Sequence, residues 1–333
     1  MKLCPFAFAI VVVCPLSQAS AHHGNSEYDL TITVRYEGVV TELLWRNPHS
    51  IVKLETRTAA GEPMTLEIEG GAPAMLRTAG FTANSIAKGD RVTVVVSPSR
   101  RFPERFAFGR DLIKADGSVV ALTSFSLPKS QVNETATDVY GTWVPTVDLF
   151  QNMRGWVRGF RLTEKGQGIR ERYSPTMSAQ AACAPLTAPI LMTYPVALAL
   201  TRSRDGIAIA TDWLDAERTV YLDGRPHPPS QQRFVQGHSV GHWENEVLVV
   251  DTRNFADEVT WAGLSSGGAK HLVERFAVSD DGKAMNYSFV WDDAEYLAEP
   301  VSGSGQLTFR PDLKLEGADC DLESAQRFFQ QFQ

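Results

Sequence analysis

Residues 65–97, TLEIEGGAPAMLRTAGFTANSIAKGDRVTVVVS, decide the fold of the first half of this chain. Thr65 to Glu69 alternates polar and apolar side chains, the period of a half-buried strand, and Arg91 to Ser97 is a valine-rich run introduced by Lys88-Gly89-Asp90. Between them, Ala72 to Ala79 reads as one short helix stopped at Gly80, where glycine suits a left-handed cap. On the N-terminal side, Val34 to Leu44 and Ser50 to Thr56 add two more strand patterns. On the C-terminal side, Asp111 to Lys114 and Val119 to Thr123 flank Asp116-Gly117, a hairpin signal. Strand, strand, strand, helix, strand, strand fits a small five-stranded Greek-key barrel of the OB type.

The second half reads as a larger barrel. Strand candidates recur at Gly206 to Thr211, Arg218 to Leu222, Val247 to Thr252, Leu272 to Val278, Ala284 to Trp291 and Gly305 to Arg310. They are separated by turn signals such as Asp223-Gly224 and Asp281-Gly282, with no long helical period. The expected fold class is therefore all-β: an OB-like barrel at 22–126, a polar linker at 127–137, and a lipocalin-like antiparallel barrel or curved sheet at 138–333.

Residues 1–21 read as an export signal. Lys2 supplies positive charge, Phe6 to Val13 an apolar core, and Ala19-Ser20-Ala21 a small-x-small cleavage pattern. A periplasmic or secreted location follows as an expectation, with no stable membrane insertion, because the apolar run falls short of the ~20 residues that span a bilayer. Two cysteines leave with such a signal; the remaining pair, Cys183 and Cys320, is expected to form one disulfide in an oxidising compartment. The formal net charge of −7 argues against a nucleic-acid partner, which would require a concentrated basic surface.

Several stretches resemble a family of uncharacterised secreted bacterial proteins. They are His22-His23-Gly24, Tyr28-Asp29, Trp45-Arg46-Asn47-Pro48-His49, Tyr221 to His227 and Gly237 to Glu244. The resemblance implies the two-module architecture and no particular reaction.

Candidate chemistry falls into two groups. Cleavage after Ala21 would give His22 a free α-amino nitrogen beside its imidazole, and His23 or His49 a place in a tetragonal nitrogen set suited to copper; a mobile terminus and a backbone-bonded His49 are the structural alternatives. In an extended strand, His238, His242 and Glu244 share one face, read as an inward polar face or a metal set, against the alternative that Gly237 and Gly241 break the strand. Asp251, Glu274 and Asp292 sit in apolar runs and are expected to point inward. His238 with Glu274 or Asp251 would then serve as an acid–base pair, against the alternative that Glu274 merely pairs with Arg218. Trp243, Trp261, Trp291 and Tyr287 are the aromatic residues expected to line a cavity for a small apolar or aromatic molecule. Gly237-His238-Ser239-Val240-Gly241 spells a nucleophile-elbow pattern, but without the strand–turn–helix setting that such an elbow needs.

Overall fold

Alternating apolar and polar side chains close two barrels in the computed structural model, which describes residues 28–123, 133–260, 263–323 and 325. The first is built from β1 (Val34–Leu44), β2 (Ile51–Arg57), β3 (Pro63–Glu69), helix α1 (Pro73–Thr78), β4 (Arg91–Pro98), β5 (Phe106–Lys114) and β6 (Val119–Ala121). The strand order is β3-β2-β1-β4-β5, and a parallel pairing of β3 with β5 closes the ring; β6 adds to the outside of β5 as a hairpin arm. Inward positions two residues apart are fully buried: Val52 and Leu54, Leu66 and Ile68, Val92, Val94 and Val96. Burying each such side chain contributes roughly 1.5–3 kcal/mol. Helix α1 begins with Pro73, whose missing N–H costs nothing at a helix start, and ends before Gly80 at φ +86°. Its Leu76 joins Phe81 in the floor of this barrel, while Ala74 on another face packs into the core of the second.

The second barrel has nine strands. They are β7 (Gly141–Pro145), β8 (Leu198–Ser203), β9 (Gly206–Thr211), β10 (Glu217–Tyr221), β11 (His238–Glu244), β12 (Val247–Arg253), β15 (His271–Val278), β16 (Ala284–Asp292) and β17 (Val301–Phe309). The closed order is β10-β11-β12-β15-β16-β17-β7-β8-β9. All neighbours are antiparallel except β10 and β11, which run parallel and are joined by the long connection 222–237. A two-stranded ladder of β13 (Glu258–Val259) and β14 (Ser265–Ser266) precedes β15.

Two helices, α2 (Val147–Gly159) and α3 (Glu164–Arg172), stand where the sequence suggested no helical period. The Thr146 hydroxyl caps α2 by accepting from Leu149 N–H at 3.4 Å, and Leu149, Phe150, Met153 and Val157 form its buried stripe. The helix lies close against β17 because that strand carries Gly303 and Gly305. A Cβ at Gly305 would stand 2.7 Å from Leu149, and one at Gly303 2.4 Å from Trp156. Together with Trp143, Phe276, Phe289 and Trp291, these side chains form one continuous core.

The C-terminal segment straps the barrels together. Cys320 is joined to Cys183 by a disulfide, Asn47 Nδ2 donates to Ala318 O at 2.9 Å, and Arg46 pairs with Asp321 at 2.7 Å. Arg77 of α1 meets Asp212 at 2.7 Å in a buried ion pair, and the other Asp212 oxygen accepts from Glu316 and Gly317 N–H. Among the described residues, no helix is long and apolar enough to cross a membrane.

Candidate active site

Strand alternation sorts the candidate carboxylates onto opposite sides of the second barrel. In β15 the buried positions are Leu272, Glu274 and Phe276, and in β12 Leu248, Val250 and Thr252 are buried in the same inward register, with Val249 buried on the other face. Glu274 therefore points inward, where Arg218 clasps both its oxygens at 2.6 and 2.9 Å and Tyr287 Oη donates to it at 2.9 Å. Burial pulls the Arg218 guanidinium down, but Glu274 outweighs burial and holds it above its ordinary value. Burial, then the Glu274 charge, pushes the Tyr287 phenol well up. Glu274 is thus locked in a structural pair.

Asp251 and Asp292 correct the expectation of inward carboxylates, because both occupy the outward register of their strands. The same holds for His238, Val240, His242 and Glu244. They do share a face, but it is the outer one, since Ser239 and Gly241 take the buried positions of β11. His242 pairs with Glu244 at 3.2 Å, Glu244 also binds Arg275 at 2.7 Å, and this group is solvent-exposed. Ser239 of the elbow pattern faces inward and hydrogen-bonds Thr252 at 2.9 Å.

His238 and Asp251 do come together, through a residue that the sequence reading did not select. His227, on the 222–237 connection, places Nε2 3.0 Å from Asp251 Oδ1 and Nδ1 3.0 Å from His238 Nδ1. His271, at the start of β15, reaches Asp251 Oδ2 at 2.7 Å, and Arg253 lies 3.3 Å from Oδ1. Asn254 pins the connection that carries His227. Its backbone is left-handed at φ +61°, and its Nδ2 reaches the carbonyls of Pro228, Pro229 and Gln232 at 3.3, 3.0 and 3.0 Å.

The order of the contacts fixes the tautomers. Burial raises Asp251, but the His271 hydrogen bond and the His271 and Arg253 charges outweigh it and hold the carboxyl below its usual range. The carboxylate only accepts, so a neutral His227 donates from Nε2 and offers a bare Nδ1. That nitrogen must accept from His238 Nδ1–H, which leaves His238 Nε2 as the unprotonated, basic nitrogen. Burial, followed by the nearness of His227 and Arg225, lowers the proton affinity of His238 and keeps it neutral at neutral pH. Tyr221 stacks on the His238 ring at 5.1 Å, and the Arg225 guanidinium covers Tyr221 at 3.9 Å. Phe234 adds an aromatic edge 6.1 Å from His238.

Of the expected cavity residues, Tyr287 and Trp291 are in the barrel interior, Trp243 is 41% exposed at the end of β11, and Trp261 lies outside the described residues. Of the expected copper ligands, His22 and His23 also lie outside the described residues. His49 stands in the first barrel, its Nδ1 3.1 Å from Gly70 O and 3.3 Å from Glu69 Oε1. Glu69 is mostly buried and its carboxyl raised, with His49 and the Tyr28 hydroxyl countering part of the burial. Between the barrels, a recess of about 610 Å³ is lined by Trp45, Asp215, Glu217, Glu316 and Asp319 among others.

The chain is thus a two-barrel β protein whose second barrel carries an Asp–His–His relay on its outer wall. Residues 10–104, which include most of the first barrel, match a family of unknown function (DUF6152). No curated protein matches the chain, and no solved structure matches it.

Proposed function

We propose that the chain is an exported acid–base catalyst in which His238 Nε2 takes a proton from a small apolar or aromatic substrate resting against Tyr221 and Phe234. The observation that carries this reading is the contact chain Asp251–His227–His238, which, with both imidazoles neutral, leaves His238 Nε2 as the basic nitrogen. A base held in its active tautomer by a second and third group is the logic of hydrolytic triads applied without a nucleophile. Such a base contributes ~10²–10⁴-fold to rate. An isomerase, hydratase or lyase fits it, since each needs proton transfer and no redox cofactor.

The test uses 5-nitrobenzisoxazole, which opens in a single deprotonation at carbon. The chain should open it faster than free imidazole at equal concentration, by on the order of 100-fold. His238→Ala should abolish that advantage, and Asp251→Asn should lower the rate by disturbing the tautomer. The rate should fall with acid only below the ordinary histidine value of ~6.5, because His238 is the depressed group. A rate unchanged in His238→Ala sinks the proposal.

A second reading concerns copper at His22, His23 and His49. It is supported by the carbonyl and carboxylate that engage His49 Nδ1, the usual way of orienting a metal-ligating imidazole. The His-His start and the Trp-x-Asn-Pro-His segment both fall within the span matched by the family. Copper titration of chain beginning at His22, beside chain with one extra residue before it, tests this. Tight binding that the extension abolishes supports the site; equal or absent binding in both removes it.

A further inference from the structure

A second chemical centre lies inside the second barrel, away from the His238 relay. Lys270 closes the turn ahead of β15, its N–H bonded to Gly267 O at 2.9 Å, and only 2% of the residue is exposed. Its Nζ lies 4.3 Å from the Phe255 ring centre and 4.8 Å from that of Trp291. Nζ donates to Thr187 Oγ1 at 2.7 Å, and Thr187 donates its hydroxyl to Glu258 Oε2 at 2.5 Å. Glu258 Oε1 takes the Thr187 N–H at 3.1 Å. A lysine, a hydroxyl and a carboxylate thus form one proton path in a setting of aromatic rings.

The polar groups around this path do not balance. Asp293, the next carboxylate, takes Gly267 N–H at one oxygen and Glu295 N–H at the other, both at 3.2 Å. Donors are left over. Trp291 Nε1 and Ser266 Oγ are buried without a hydrogen-bond partner. Ser266 stands opposite Glu258 in the β13–β14 ladder, so the two side chains share a face. Of the three ammonium N–H groups of Lys270, one makes a hydrogen bond, and among the described residues the group otherwise meets only the Phe255 and Trp291 rings. Buried donors without acceptors are rare in folded proteins, and this surplus matches a ligand that brings acceptor oxygen and no charge. Burial also lowers the Lys270 amine to about 8 despite Glu258 and Asp293, so a usable fraction is unprotonated near neutral pH.

We propose that Lys270 is a nucleophilic amine that condenses with a small aldehyde or ketone. The ammonium proton passes through the Thr187 hydroxyl to Glu258. The freed lone pair forms a C–N bond to the carbonyl carbon, the C=O π pair moves to oxygen, and a proton shifts from nitrogen to that oxygen. Glu258 then returns its proton by the same path, the hydroxyl leaves as water, and a protonated imine remains on Nζ. No oxidant or reductant enters.

The test treats the full chain with propanal and cyanoborohydride, which reduces an imine to a stable secondary amine, and maps the modified lysines by peptide mass. At pH 7, Lys270 should be labelled on the order of 10-fold faster than exposed Lys88 and Lys314, because its amine is lowered to about 8. Thr187→Val and Glu258→Gln should slow labelling at Lys270 and leave Lys88 and Lys314 unchanged, with circular dichroism confirming the fold. His238→Ala should leave all three rates unchanged. Labelling of Lys270 no faster than that of Lys88 and Lys314 in the folded wild-type chain overturns the proposal.

Discussion

Asp251 and Glu274 show how a single register position decides what a carboxylate can do. On neighbouring strands Val250 faces Glu274 and Asp251 faces Val273, so the two acids fall on opposite sides of one sheet. Glu274 is fully buried and satisfied by Arg218 and Tyr287. Replacing it by Ala leaves an unpaired guanidinium inside the barrel and should cost ~3–5 kcal/mol in urea denaturation. Asp251→Ala should cost far less stability, because its side chain is a third exposed, while removing the relay. A comparable loss from both variants would show that the outer network also holds the fold. Both acids were visible in the sequence as charges inside apolar runs. What was not visible was their side, since a one-residue difference in strand phase exchanges the two faces.

At the scale of elements, the first barrel was largely legible because its strands stand out as alternating or β-branched runs and its helix carries its own stop signal. The expected helix over Ala72 to Ala79 and the observed Pro73–Thr78 differ only at the ends. The second barrel was legible as an antiparallel barrel or curved sheet, but its one parallel step was not. Parallel pairing of β10 with β11 depends on where a sixteen-residue connection returns, which no local pattern states. That same connection carries His227, so the residue completing the relay was hidden by topology, although it closes the Tyr221 to His227 motif already noticed. Helix α2 was missed because Gly155 and several polar residues dilute a stripe that the barrel then buries. The glycines of β17 exist to admit that stripe. Gly305→Val should therefore destabilise the fold by ~1–3 kcal/mol through overpacking against Leu149, and Leu149→Ala in the same chain should recover part of the loss. Additive losses in that double-mutant cycle would mean that helix and strand do not meet as described.

At the scale of the whole molecule, the strap at 316–321 ties the two barrels together. It binds the first barrel through Asn47 and Arg46, and the second through Asp212 and the Cys183–Cys320 bond. The Trp-Arg-Asn-Pro-His segment, which carries the family resemblance and the candidate ligand His49, thus spends Arg46 and Asn47 on holding the C-terminal segment. The disulfide spans 137 residues of chain, and on the chain-entropy view closing a loop of that length stabilises the folded state by roughly 5 kcal/mol. Much of that loop is the second barrel itself, so the bond confines the unfolded second barrel while docking the strap of the folded one. The Cys183→Ser, Cys320→Ser double variant should lose ~2–5 kcal/mol. It should also loosen the strap, so that calorimetry resolves two transitions, one for each barrel, where the wild type gives one. Arg77 and Asp212 remain as a second clasp in that variant, so adding Asp212→Ala should widen the gap between the transitions. A single transition that merely moves to lower temperature in both variants would show that the apolar contact of Ala74 and its neighbours on α1 with the second core, rather than the strap, couples the barrels.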